Sequence, residues 1–253
     1  MSLNYNILKY YLNFLPVLFF LALLFTSPVN ADPKVYSPIV HKGDLAFENR
    51  GNTTIDDDDD EGGAQRHVFE LEYGVTDWWK TALVSRLDKP GDGSLRYDTT
   101  AWENIFQLTE QGKYWLDAGI YLEYKLADDD DAADKVEAKL LLEKWYSGFQ
   151  HTANFTFEKE VGGHREEDTE FGFAWRTRKE IAHHMKLGME YFGELGEIND
   201  IKSFEDQEHR LGPVFYHEFE IGELEIEYSL AWLFGLTDAS PDHTFRWQLE
   251  IPF

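Results

Sequence analysis

From Gly43 to Phe253, apolar side chains recur at every second position in segments of about ten residues, the period of a β-strand and not of a helix. In the stretch 115–126, Leu116, Ala118, Ile120, Leu122 and Tyr124 share one face, and Trp115, Asp117, Gly119, Tyr121, Glu123 and Lys125 share the other. Val136, Ala138, Leu140 and Leu142 alternate in the same way with Glu137, Lys139, Leu141 and Glu143. The last segment sets Phe245, Trp247, Leu249, Ile251 and Phe253 against Thr244, Arg246, Gln248 and Glu250. Repeated along the chain, the pattern predicts about twelve strands. Pro213 falls inside one of them and removes a ladder donor, which predicts a bulge there.

The links between these segments sort by parity. Odd links are long and carry the acidic runs Asp56 to Glu61, Asp128 to Asp131 and Glu166-Glu167-Asp168, whereas even links such as Gly74-Val75-Thr76-Asp77 are tight. An up-and-down barrel spanning an outer membrane has this layout, with short periplasmic turns, long external loops and an even strand count. The predicted fold is therefore an all-β, antiparallel transmembrane barrel with both termini on the periplasmic side. Period two does not say which face is wet, so a soluble periplasmic sandwich or barrel with the faces exchanged is the alternative.

Composition narrows the function. Aromatic residues make up 16% of the chain, and Trp78, Trp79, Tyr114, Trp145, Tyr146, Trp175, Trp232 and Trp247 are expected near strand ends, as an interfacial girdle. A net charge of -25 excludes nucleic acid as a partner. The absence of Cys excludes disulfides, thiolate metal sites and a cysteine nucleophile. Phe14 to Phe25 form an apolar run ending at Val29-Asn30-Ala31, the pattern of a secretory signal peptide cut after Ala31. The chain thus divides into a signal peptide (1–31), an N-terminal periplasmic segment (32–42) and an outer-membrane barrel (43–253).

The polar faces supply the candidate lumen. Its acidic candidates are Glu70, Glu72, Glu103, Asp117, Glu123, Glu137, Glu143, Glu158, Glu170, Glu190, Glu218, Glu225, Glu227 and Glu250; its basic ones are Lys125, Lys139, Arg176, Lys186, Arg210 and Arg246. An open acidic lumen favours cations, while a closed one is a cross-linked salt-bridge network. His217 and Ser229 lack a surrounding hydrolase motif, so no enzyme is expected beyond a barrel lipase or deacylase as the remote alternative. No cofactor is expected. The run Asp56, Asp57, Asp58, Asp59 and Asp60 offers oxygen ligands for hard divalent cations, without the alternation and central Gly of a calcium loop. The adjacent His183 and His184 would face opposite sides of a strand, and a turn does not reliably fix such a pair for metal binding.

Four segments, HKGDLAFENRG (41–51), FELEYGVTDWW (69–79), ENIFQLTEQGKYWLDAGIYLEY (103–124) and HRLGPV (209–214), resemble the bacterial outer-membrane family labelled for the MetA pathway of phenol degradation. The resemblance implies an outer-membrane barrel that passes small molecules, and transfers no functional residues. The sequence thus reads as a passive narrow channel for small solutes or cations. The alternative is a non-conducting surface barrel whose acidic loops bind divalent cations, lipopolysaccharide or a partner. Expected partners are outer-membrane lipid, lipopolysaccharide and, through the terminal Phe253, the barrel-insertion machinery.

Overall fold

The computed structural model describes residues 33–57, 62–129, 131–163, 165, 168–222 and 224–253. The signal-peptide reading of residues 1–31 and the candidates Asp58, Asp59 and Asp60 fall outside that set. The strands are β1 (Leu45–Ile55), β2 (Gln65–Thr76), β3 (Trp79–Lys89), β4 (Arg96–Gln107), β5 (Asp117–Ala127), β6 (Asp134–Tyr146), β7 (Phe149–Val161), β8 (Thr169–Ala182), β9 (Met185–Glu197), β10 (Glu208–Ile221), β11 (Leu224–Gly235) and β12 (His243–Pro252). Asp200–Ile201 add a two-residue bridge to the end of β9. Each strand pairs antiparallel with the next, and β12 pairs back onto β1. The sheet therefore closes on twelve strands with no free edge. The Phe253 N–H reaches the Leu45 carbonyl at 2.8 Å, so both ends of the barrel chain meet at one rim.

Link lengths follow parity with one exception. Two residues separate β2 from β3, β6 from β7, β8 from β9 and β10 from β11, all at the rim that carries the barrel's chain ends. The β4–β5 link at this rim runs from 108 to 116, longer than the tight link expected of its parity. It folds back on the start of β5: Leu108 N–H bonds the Ala118 carbonyl at 2.8 Å, and Asp117 accepts the Gly112 N–H at 2.7 Å. The opposite rim carries the longer links.

The closed sheet settles the faces. Leu71, Leu83, Leu122, Leu140, Leu187 and Leu230 stand exposed on the outside, while Glu48, Arg50, Glu70, Glu103, Glu123, Glu143 and Glu190 are buried inside. Apolar out and polar in is the arrangement of a barrel whose outer wall faces hydrocarbon, and it removes the soluble alternative. No helix among the described residues is long and apolar enough to cross a membrane.

Two expectations need correcting. Pro213 makes no bulge: pairing of β10 with β11 passes from Leu211↔Phe234 to Val214↔Ala231 in unshifted register, leaving Gly212 and Pro213 unpaired on that side. On the β9 side both stay in register, so the missing donor is absorbed as a local gap. The aromatic girdle holds only in part. Trp78, Tyr114, Trp145 and Tyr146 are exposed at the short-turn rim, but Trp175 and Trp247 lie in the middle of β8 and β12. Trp247 is held there because Gly51 faces it across the sheet, and its indole covers the space that a side chain at 51 would fill.

Candidate functional site: the barrel lumen

Register puts glutamates opposite glutamates. Across β4 to β9 the paired positions are Glu103, Glu123, Glu137, Glu158, Glu170 and Glu197. Across β2, β1, β12, β11 and β10 they are Glu70, Glu48, Glu250, Glu227 and Glu218. The two rows join through Glu72, whose partner Ala82 pairs in turn with Glu103. Strands in a closed barrel are tilted, so a row of constant register climbs the wall. It runs from Glu218, near the short-turn end of β10, to Glu197, the last residue of β9 at the long-loop rim.

Like charges directly opposite each other in a sheet are destabilising, and cations interleave here to offset them. Arg50 lies between Glu48 and Glu70, bonding both. Arg86 bonds Glu123 at 2.5 Å and Glu103 at 3.3 Å. Lys125 reaches Glu158 at 2.5 Å, Glu137 at 3.2 Å and Glu123 at 3.4 Å, and Lys139 reaches Glu137 at 3.0 Å. Lys135 joins Glu158 at 2.9 Å, and Lys186 bonds Glu218 and faces Glu227 at 3.7 Å.

Residues 33–40 complete the interior. The segment 32–42 is expected outside the barrel in the periplasm, but 33–40 lie inside the wall instead, and His41 to Asp44 are exposed at the rim. Asn154 on β7 binds the backbone of Tyr36 on both sides, accepting its N–H at 2.7 Å and donating to its carbonyl at 2.9 Å. Lys34 reaches Glu48 and Glu70 at 3.0 Å each, Ser37 donates to Glu143 at 2.9 Å, and Val40 N–H donates to Gln107 at 2.8 Å. Val35 packs with Phe192, Val214, Tyr216 and Leu233 from one side of the wall, and Tyr36 and Val40 pack with Ile105, Tyr121 and Leu141 from the other. The physical reason for the placement is supply of buried partners: the segment brings a cation to two glutamates and apolar groups to an otherwise polar lumen. Two inward glycines make room. A Cβ at Gly119 would stand 2.9 Å from Pro38 Cβ, and one at Gly74 would overlap the His41 carbonyl oxygen.

The remaining candidates divide by position. Glu190 accepts Tyr216 and Arg246 at 2.6 Å each, Arg176 is buried beside Thr152, and Arg210 pairs with Glu208 at 2.7 Å. Glu170 is exposed towards the long-loop mouth and Glu225 towards the other. Asp117 is spent on the β4–β5 link, and Asp56 accepts the Asp242 N–H at 2.9 Å. Sequence reading omitted Lys34, Glu48, Arg50, Arg86, Lys135 and Asn154. Their positions on inward strand phases were the available signal for the β-strand members, and Lys34 had none. His217 stacks on Phe215 and Phe219 and meets Tyr228 edge-on on the outer face, whereas Ser229 is buried inside, so the two do not form a catalytic pair.

Solved structures share this fold. The COG4313 outer membrane channel from Pseudomonas putida F1 superposes with a TM-score of 0.59 at 13% identity, covering 88% of this chain and 99% of that one. The NanC porin superposes with a TM-score of 0.56 at 8% identity, covering 82% and 98%. No protein-family model matches the chain, and no curated protein matches it in sequence.

Proposed function

We propose that the protein is a passive outer-membrane channel for small solutes with a preference for cations, narrowed by its own residues 33–40. The observation that carries this reading is the row of glutamates from one mouth of the lumen to the other. A wall whose fixed charges are mainly carboxylates concentrates cations and repels anions. The long acidic loops then lie outside the cell and the short turns in the periplasm, with residues 1–31 acting as the export signal. Lipid surrounds the wall, lipopolysaccharide borders the acidic loops, and Phe253 on the last strand serves the insertion machinery. The names of the structural neighbours, a porin and an outer membrane channel, agree with this class of function. Membership of the MetA-pathway family is part of the same proposal and rests on the four resembling segments.

The test is the reversal potential of the refolded chain in a planar bilayer under a salt gradient. A cation-selective potential that moves towards zero in Glu123→Gln and Glu137→Gln supports the reading; an anion-selective or unchanged potential overturns it. The packed segment 33–40 favours a second reading, a closed barrel that acts through its loops. A silent bilayer from folded protein would select it.

A further inference from the structure

We propose that His184, Glu218 and Glu225 form a binding site for a borderline divalent cation of the zinc type at the short-turn mouth of the lumen. Their ligand atoms, one imidazole nitrogen and two carboxylate oxygens, all lie within 4.8 Å of one another. His184 Nδ1 is 3.4 Å from Glu218 Oε2 and 3.7 Å from Glu225 Oε1. Zinc binds nitrogen and oxygen at about 2.0–2.2 Å in tetrahedral geometry, which sets its ligands roughly 3.3–3.6 Å apart. Two edges of the triangle are thus near the required length, and the exposed Glu225 side chain can close the third by rotation.

The turn holds the backbone of His184 and sets its imidazole beside Glu218. His184 is the second of the two residues between β8 and β9, with φ 60°, and its carbonyl accepts the Glu218 N–H at 2.9 Å. This bond straps the turn to β10 and presents the ring to the Glu218 side chain. Neighbouring His183 is exposed and outside the cluster. Lys186 does not block the site, because it bonds Glu218 through Oε1 and leaves Oε2 turned to the imidazole.

Charge supplies an independent reason for a cation here. On this face Glu218 pairs with Glu227 and Glu220 pairs with Glu225, so two like-charged pairs are stacked across β10 and β11. Lys186 and Arg178 serve Glu227 and Glu218, on the side of the cluster away from Glu225. A divalent ion between Glu218 and Glu225 neutralises the remainder. The imidazole selects for a borderline ion, since calcium and magnesium take oxygen ligands. Three protein ligands leave one position for water, an open and exchangeable site.

The test uses the untagged chain, refolded in detergent and titrated with Zn²⁺ by calorimetry in millimolar Mg²⁺, which occupies oxygen-only sites in the acidic loops. One equivalent of Zn²⁺ is expected to bind. Affinity should fall at least tenfold in His184→Asn, which tolerates the positive φ, and in Glu225→Gln, while His183→Ala binds like the parent. Three results would overturn the proposal: no Zn²⁺ uptake by folded protein, undiminished uptake in His184→Asn, or an equal loss in His183→Ala. Conduction is not the readout, so this outcome is separate from that of the channel reading.

Discussion

Asn154 holds Tyr36 by both polar atoms of its backbone, with N–H to Oδ1 at 2.7 Å and Nδ2–H to the carbonyl at 2.9 Å. The two residues are 118 positions apart in sequence, and their amide pairing joins the middle of β7 to a segment that precedes the first strand. This clamp holds residues 33–40 within the lumen together with the bonds from Lys34, Ser37 and Val40.

Removing it should loosen the segment without opening the sheet. Each hydrogen bond is worth about 1 kcal/mol net, so Asn154→Ala is expected to weaken docking by ~2 kcal/mol, roughly a thirty-fold shift in favour of the undocked state. The chain has no cysteine, so Ser37→Cys is a clean reporter. A water-soluble thiol reagent should label it many-fold faster in the Asn154→Ala background. Equal labelling rates would show that the clamp holds nothing.

Gly119 tests the same attachment by bulk. A Cβ there would meet Pro38 Cβ at 2.9 Å and the Phe106 carbonyl oxygen at 3.1 Å. Gly119→Val should displace the segment from the wall, while heat-dependent gel mobility still reports a folded barrel. A docked segment in this variant, judged by protection of the thiol that Ser37→Cys introduces, would contradict the packing described.

On the outer wall, Gly51 and Trp247 form a fitted pair. A side chain at 51 would stand 2.5 Å from the indole and would overlap the Arg66 carbonyl oxygen. Overpacking of this kind costs about 1–3 kcal/mol. Gly51→Val should therefore lower the urea midpoint of the refolded barrel, and Trp247→Ala combined with it should recover part of the loss. The backbone oxygen accounts for the part not recovered.

Charge on the outer wall should be penalised by depth. Leu122 lies in the middle of β5, while Ile120 lies nearer the short-turn rim. Arginine on the lipid face costs about 2–4 kcal/mol at the bilayer midplane and ~0–1 near the interface. Leu122→Arg is expected to reduce assembly in membranes more than Ile120→Arg. The reverse order, measured as folded fraction in lipid vesicles, would contradict the placement of the hydrocarbon zone.

The strands were legible because period two is a property of the backbone: Leu116 to Tyr124 alternate wherever the chain is extended. The wet face does not follow from that period, since exchanging the two faces leaves Ile120 and Tyr121 in the same pattern; link parity and strand length point to it instead. With the face so assigned, lumen residues such as Glu123, Lys125 and Glu190 could be read from strand phase. Their partners could not, because the pairing of Glu48 with Glu70, or of Glu103 with Glu123, depends on register, which link lengths set. Residues 33–42 lack periodicity, so nothing in them announced a place inside the barrel. The trace lay elsewhere, in Gly74 and Gly119, two inward glycines where a strand has reason to carry glycine only if another backbone comes close. The position of His184 was hidden for a related reason: its backbone is held by the strap to β10, a long-range bond.

Single-channel conductance of the intact barrel against a variant lacking residues 33–40 is the most direct measurement, with both proteins shown to be folded by their gel shift on heating. A lumen narrowed by its own N-terminal segment predicts small steps from the intact protein and severalfold larger, cation-selective steps from the deletion variant. Equal conductance in the two would mean that residues 33–40 do not restrict the passage.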